Sequence, residues 1–126
     1  MTQSDELRAR LAKFTADRDW GQFHRPKNLV MALAGEVGEL LAEFQWLTPE
    51  ESDAVMADPE HAARVRSEMA DVFTYLSQLA MRLDIDLYEV AHEKMDEVEV
   101  RYPPGVVPRS AGQRAGHDGG SDTKSA

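Results

Sequence analysis

The sequence predicts an all-α protein, and three observations carry that prediction. Apolar residues recur at spacings of three and four through most of the first hundred residues, while no segment alternates with period two. Ser, Thr, Asp and Pro stand where helices need to start. Where the periodicity stops, after Tyr102, glycine and proline gather.

Taken in order, the elements are four long helices and one short one. The first is expected from a cap at Ser4 to about Arg18, with Leu7, Leu11 and Phe14 as its stripe. The stretch DWGQFHRPKN breaks the pattern, and Pro26 opens a second helix reaching about Trp46. Its apolar face reads Leu29, Leu33, Val37, Leu40, Leu41 and Phe44. Thr48, Pro49 and Glu51 make a capping-box start for a short helix. Asp58 caps and Pro59 opens a third long helix to about Leu83, with Val65, Met69, Val72, Leu76, Leu79 and Leu83 as its stripe. Asp86 caps the last helix, which two prolines and a glycine stop at RYPPG. Residues 1–103 are therefore expected to form one helical domain. Residues 104–126, rich in Gly, Ser and Pro without an apolar stripe, are expected to be a disordered tail.

Charge narrows the function. Among 126 residues, 14 Lys and Arg face 23 Asp and Glu, a formal charge of -9. The acidic excess lies in the helical body. Such a chain is a poor partner for nucleic acid, which needs Lys and Arg against its phosphates. An acidic protein that handles phosphates is expected to do so through bound cations. The absence of cysteine excludes disulfides, zinc-thiolate sites and thiol nucleophiles. The central run LVMALA is far short of a bilayer span, and MTQSDELRAR lacks the apolar stretch of a signal peptide, so no membrane partner and a soluble, cytoplasmic location are expected. A body of about 100 residues has a limited core, which favours a homodimer or homotetramer.

The informative feature is acidic. Glu36 and Glu39 are three apart, as are Glu68 and Asp71, and each pair flanks the apolar stripe of its own helix. Like charges at that spacing repel by a few tenths of a kcal/mol per pair, and Gly35 and Gly38 each cost the helix roughly 1 kcal/mol relative to alanine. Acidic pairs at this spacing are usually a solvated face. If the two helices pack antiparallel through their stripes, however, four carboxylates converge at the seam, where Mg²⁺ or Mn²⁺ would turn repulsion into binding. A di-iron bundle would need repeated Glu-x-x-His pairs, and Glu89 with His92 is a single copy best read as surface. The glycines are expected to let another helix or a substrate come close.

The pattern Glu36-x-x-Glu39, then 28 residues, then Glu68-x-x-Asp71 resembles the metal-binding signature of the MazG-type all-α nucleoside triphosphate pyrophosphohydrolases. The words RDWGQFHRPKNLVMALAGEVGELLAEFQW, EMADVFTYL and KMDEVEVRYP resemble the dCTP pyrophosphatase branch in particular. The resemblance covers about residues 4–103 and implies a four-helix-bundle-like fold assembled into dimers or tetramers. It implies hydrolysis of a nucleoside triphosphate, dCTP or a modified dCTP, to the monophosphate and pyrophosphate. Glu36, Glu39, Glu68 and Asp71 become ligands of Mg²⁺, and Glu39 is the candidate to take the proton of the attacking water. Trp20 and Trp46, with His24 and Tyr75 nearby, become the nucleobase site, and Lys94 or Arg101 meets the departing pyrophosphate.

One departure affects substrate choice. Members of this family commonly carry an asparagine in the last helix where this chain has Val98, and valine cannot bond a sugar or phosphate oxygen. Two other functions fit the same residues: a related pyrophosphohydrolase for another or damaged nucleotide, and a non-catalytic helical scaffold. Metal-dependent turnover separates the second from the first.

Overall fold

The computed structural model describes residues 1–105; the expected tail from residue 106 onward lies outside the described residues. The helices are α1 (Gln3–Asp17), α2 (Pro26–Ala42), α3 (Pro49–Asp53), α4 (Pro59–Arg82) and α5 (Leu87–Arg101), with a single 3₁₀ turn at Val55–Ala57 between α3 and α4. There is no strand among the described residues, so the all-α expectation holds. They fall into two compact units, Met1–Ala91 and the residues from His92 onward. No described helix is long and apolar enough to cross a membrane.

Local chemistry sets the boundaries. Thr48 and Glu51 cap each other's backbone, Asp58 accepts from the Glu60 N–H, and Asp86 accepts from the N–H groups of Tyr88 and Glu89, all as the sequence indicates. The first helix starts earlier than expected. Thr2, not Ser4, is its cap, because Thr2 has Asp5 three residues on to complete a reciprocal box, whereas Ser4 has Leu7. The second helix ends earlier, at Ala42 rather than Trp46. Beyond it the chain tightens, with Glu43 N–H bonding to Leu40 and Phe44 N–H to Leu41. Asp19 and Asp84 take left-handed φ of 53° and 54°, each following a helix end and folding the chain back onto it.

In the first unit, α2 and α4 form the main packing pair and α1 lies against α4. The buried residues are Leu29 on α2, Val55 of the 3₁₀ turn, and Ala62, Val65, Ser77 and Ala80 on α4. Small α4 side chains let the neighbouring helices approach, and the Ser77 hydroxyl donates to the Phe73 carbonyl at 2.8 Å, which satisfies it in the core. The expected α2 stripe is too wide to fit one partner. Leu29, Leu33, Leu40 and Phe44 are at least half buried, but Val37 and Leu41, about 40° and 80° around the helix from Leu33, are 48% and 57% exposed. Met69 and Leu83, expected in the α4 stripe, are exposed as well.

Candidate metal centre

The side chains of Glu36 and Glu39 leave α2 one turn apart and meet Glu68 from α4. One carboxylate oxygen of each lies within 4.8 Å of the others, the only such group among the described residues. Glu36 and Glu68 are half buried and Glu39 is exposed. Asp71, one turn beyond Glu68, is outside this trio but near enough that its charge acts on Glu36. Glu89 and His92 join no such group.

The electrostatics are those of an unneutralised cage. Loss of water, then the charges of Glu39 and Asp71, hold the Glu36 carboxyl above its usual range. Glu68 is pushed up to about 7, first by loss of water and then by its contacts with Glu39 and Glu36. Glu36 Oε2 and Glu68 Oε2 are buried and hold no hydrogen bond. Orphaned oxygens of this kind are costly unless something meets them. An all-oxygen donor set suits a hard divalent cation, so these residues fit such an ion.

Of the other residues singled out in the sequence, Trp20, His24 and Tyr75 lie in the first unit near α4. Trp20 packs edge-on against Phe14, with centroids 5.4 Å apart, and stands 6.4 Å from the His24 ring. His24 lines a cleft of about 480 Å³ with Leu11, Thr15, Gln78 and Arg82, and Gln78 Oε1 is another buried oxygen without a partner. Tyr75 is half buried on α4 between Asp71 and Gln78. Trp46 is not brought to this group. It stands in the turn after α2, 85% exposed, with no aromatic neighbour among the described residues. Lys94 and Arg101 belong to the second unit, where Lys94 pairs with Glu97. A Cβ on Gly35 or Gly38 would meet nothing within 4 Å, so the close approach expected there is not made among the described residues.

One cluster escaped the sequence reading. His61 Nε2–H donates to the Glu43 carbonyl at 2.9 Å and lies 3.1 Å from its carboxylate. The Nε–H of Arg64 is shared between the two Glu43 carboxylate oxygens at 3.2 and 3.3 Å. The α2 helix has no basic residue in its own last turn, so α4 supplies the positive charge that a helix C-terminus favours. The available signal was spacing: Glu43 lies four residues after Glu39, and Arg64 four before Glu68.

An all-α bundle whose principal helix pair closes carboxylates on one point defines a class, the helical proteins with acidic sites for divalent cations. The comparisons narrow it. Residues 24–106 match the family described as the MazG nucleotide pyrophosphohydrolase domain, and the chain belongs to that family. It is 43% identical over 99 residues to dCTP pyrophosphatase 1 of Mus musculus, covering 79% of this chain and 58% of that protein. To dCTP pyrophosphatase 1 of Homo sapiens it is 44% identical over 99 residues, with the same coverage. The chain thus spans under two thirds of the length of these relatives. Among solved structures it is similar to a pyrophosphatase from Archaeoglobus fulgidus, with TM-score 0.76, 35% identity, and coverage of 82% of this chain and 94% of that one.

Proposed function

We propose that this protein hydrolyses a (deoxy)nucleoside triphosphate, dCTP or a modified dCTP, between the α- and β-phosphates, releasing the monophosphate and pyrophosphate and so clearing the nucleotide pool. The observation that carries the reading is the convergence of Glu36, Glu39 and Glu68, two of them with orphaned buried oxygens, inside a chain of this family. The activity named for the mammalian relatives supports dCTP as the substrate to try first.

In this reading Glu36, Glu39, Glu68 and Asp71 hold Mg²⁺, with Mn²⁺ able to substitute. The bound cation supplies charge neutralisation to the triphosphate and a lowered pKa to the attacking water. Glu39, the exposed member of the trio, accepts the proton of that water. Trp20 and His24 flank the base and Tyr75 lies between base and carboxylates, while Trp46, beyond the opposite end of α2 from His24, offers its stacking face to a base bound by a second copy. Val98 in place of the family's asparagine removes one hydrogen bond to a sugar or phosphate oxygen and shifts the preferred nucleotide or lowers activity.

The assembly in this reading is a homodimer or homotetramer, acting in the cytoplasm. Val30, Val37 and Leu41 make an exposed apolar stripe on α2, and Met69 and Phe73 expose another on α4. A second copy covering these stripes would come near Gly38, about 60° around α2 from Leu41.

A product assay tests the activity. Each common dNTP and NTP, and 5-methyl-dCTP, is incubated with and without Mg²⁺ and scored separately for pyrophosphate and orthophosphate, with Asp71→Asn as control. The expected result is Mg²⁺-dependent pyrophosphate that vanishes in the control. Orthophosphate alone would mean that a different bond is cut, and the proposal would fail.

A further inference from the structure

The metal-site carboxylates do not end the polar seam between α2 and α4. Every step of three or four residues toward the C-terminus of α2 is matched by the same step toward the N-terminus of α4. Glu36 faces Asp71, Glu39 faces Glu68, and the next rung is Glu43 with Arg64. The geometry points to Arg64 as the group that binds the terminal phosphates of the substrate and the pyrophosphate that leaves. This rests on the reading of the carboxylates as a triphosphate site.

Three features of Arg64 support the assignment. Its Nε is held by Glu43, which fixes the guanidinium plane, while neither Nη makes a hydrogen bond among the described residues. Its side chain is 54% exposed, so those donors are available to a ligand. A planar fork of N–H donors with one edge anchored is suited to phosphate oxygens. His61 supports the arrangement from behind by holding the Glu43 backbone and carboxylate.

Position along α4 decides the direction in which the substrate lies. Arg64, Glu68, Asp71, Tyr75, Gln78 and Arg82 share one face of that helix. The cleft at Gln78 and His24 is about 10 Å along the axis from Asp71, the span of a sugar and base. A nucleoside seated there puts its phosphate chain over the carboxylates and its far end toward Arg64, only about 6 Å along the axis from Glu68. Arg82, the basic residue at the opposite end of the face, is about 16 Å from Asp71 and beyond the phosphates.

Calorimetric titration of the full chain with Mg²⁺-pyrophosphate and, separately, with dCMP tests this, using wild type, Arg64→Ala and Arg64→Lys. Loss of a charged hydrogen-bond donor should weaken pyrophosphate by about ten- to a hundredfold in Arg64→Ala. Arg64→Lys should recover part of the loss, and dCMP affinity should stay within about twofold in both. Equal weakening of both ligands would mean that Arg64 only braces the helices, and would overturn the assignment. So would unchanged pyrophosphate affinity, or no pyrophosphate binding by the wild type. Turnover of the wild type is scored alongside: its absence refutes the proposed activity, whereas intact turnover with unchanged pyrophosphate affinity refutes Arg64 alone.

Discussion

A carboxyl with its pKa near neutrality, inside a cluster suited to cations, predicts that metal binding releases protons in a pH-dependent way. Glu68 sits at about 7 rather than 4.5, because it has lost water and faces Glu39 and Glu36. With that value it is about nine-tenths protonated at pH 6 and about one-tenth at pH 8, and a cation must displace whatever proton is there. Titration with Mn²⁺ should therefore release about 0.9 proton from Glu68 at pH 6 and about 0.1 at pH 8. Glu36, also raised, adds to the release at the lower pH. Calorimetry in two buffers of different ionisation enthalpy measures the number directly. Equal release at the two pH values would refute the reasoning.

The same shift has a consequence for the metal-free fold, and its sign follows from proton counting. Between about pH 4.5 and 7 the folded state holds a proton on Glu68 that the unfolded chain has already lost. The contribution is fully present below 4.5 and disappears as pH rises through 7. Urea midpoints of metal-free protein should fall across that window, and Glu68→Gln should flatten the fall. A steeper fall in Glu68→Gln than in wild type would contradict the assignment of that proton.

Other predictions concern the scaffold. His61→Ala removes the bond to the Glu43 carbonyl and should destabilise by about 1 kcal/mol in urea unfolding. Leu29→Ala empties a site only 2% exposed and should cost about 3 kcal/mol by the same measurement. Asp84→Gly relieves a left-handed non-glycine residue and should raise stability by about 1 kcal/mol, read as a higher Tm. Gly38→Ala meets open space in the chain and should stabilise the dissociated protein by about 1 kcal/mol, while loss of assembly by light scattering in the same variant would show a second copy at that glycine.

How far each feature was legible depends on the range of the interaction behind it. The Thr48–Glu51 box and the Asp86 cap close over three residues or fewer, so the sequence reveals them. Thr2 prevails over Ser4 because a cap depends on its reciprocal partner, and Asp5 supplies one three residues on. The end of α2 was misjudged for a longer-range reason: Glu43 bonds to His61, 18 residues away, and no local pattern announces that. The acidic pairs were legible as pairs because three residues is nearly one turn, but their meeting required the register between α2 and α4. That register carries more than it was asked to. Once Glu39 is set against Glu68 in an antiparallel pair, a further turn along each helix brings Glu43 to Arg64, 21 residues apart in the chain. The arginine was therefore implied by the same reasoning that found the carboxylates. That rung is hard to read in the sequence because its two partners carry opposite charge, so no acidic pair marks it.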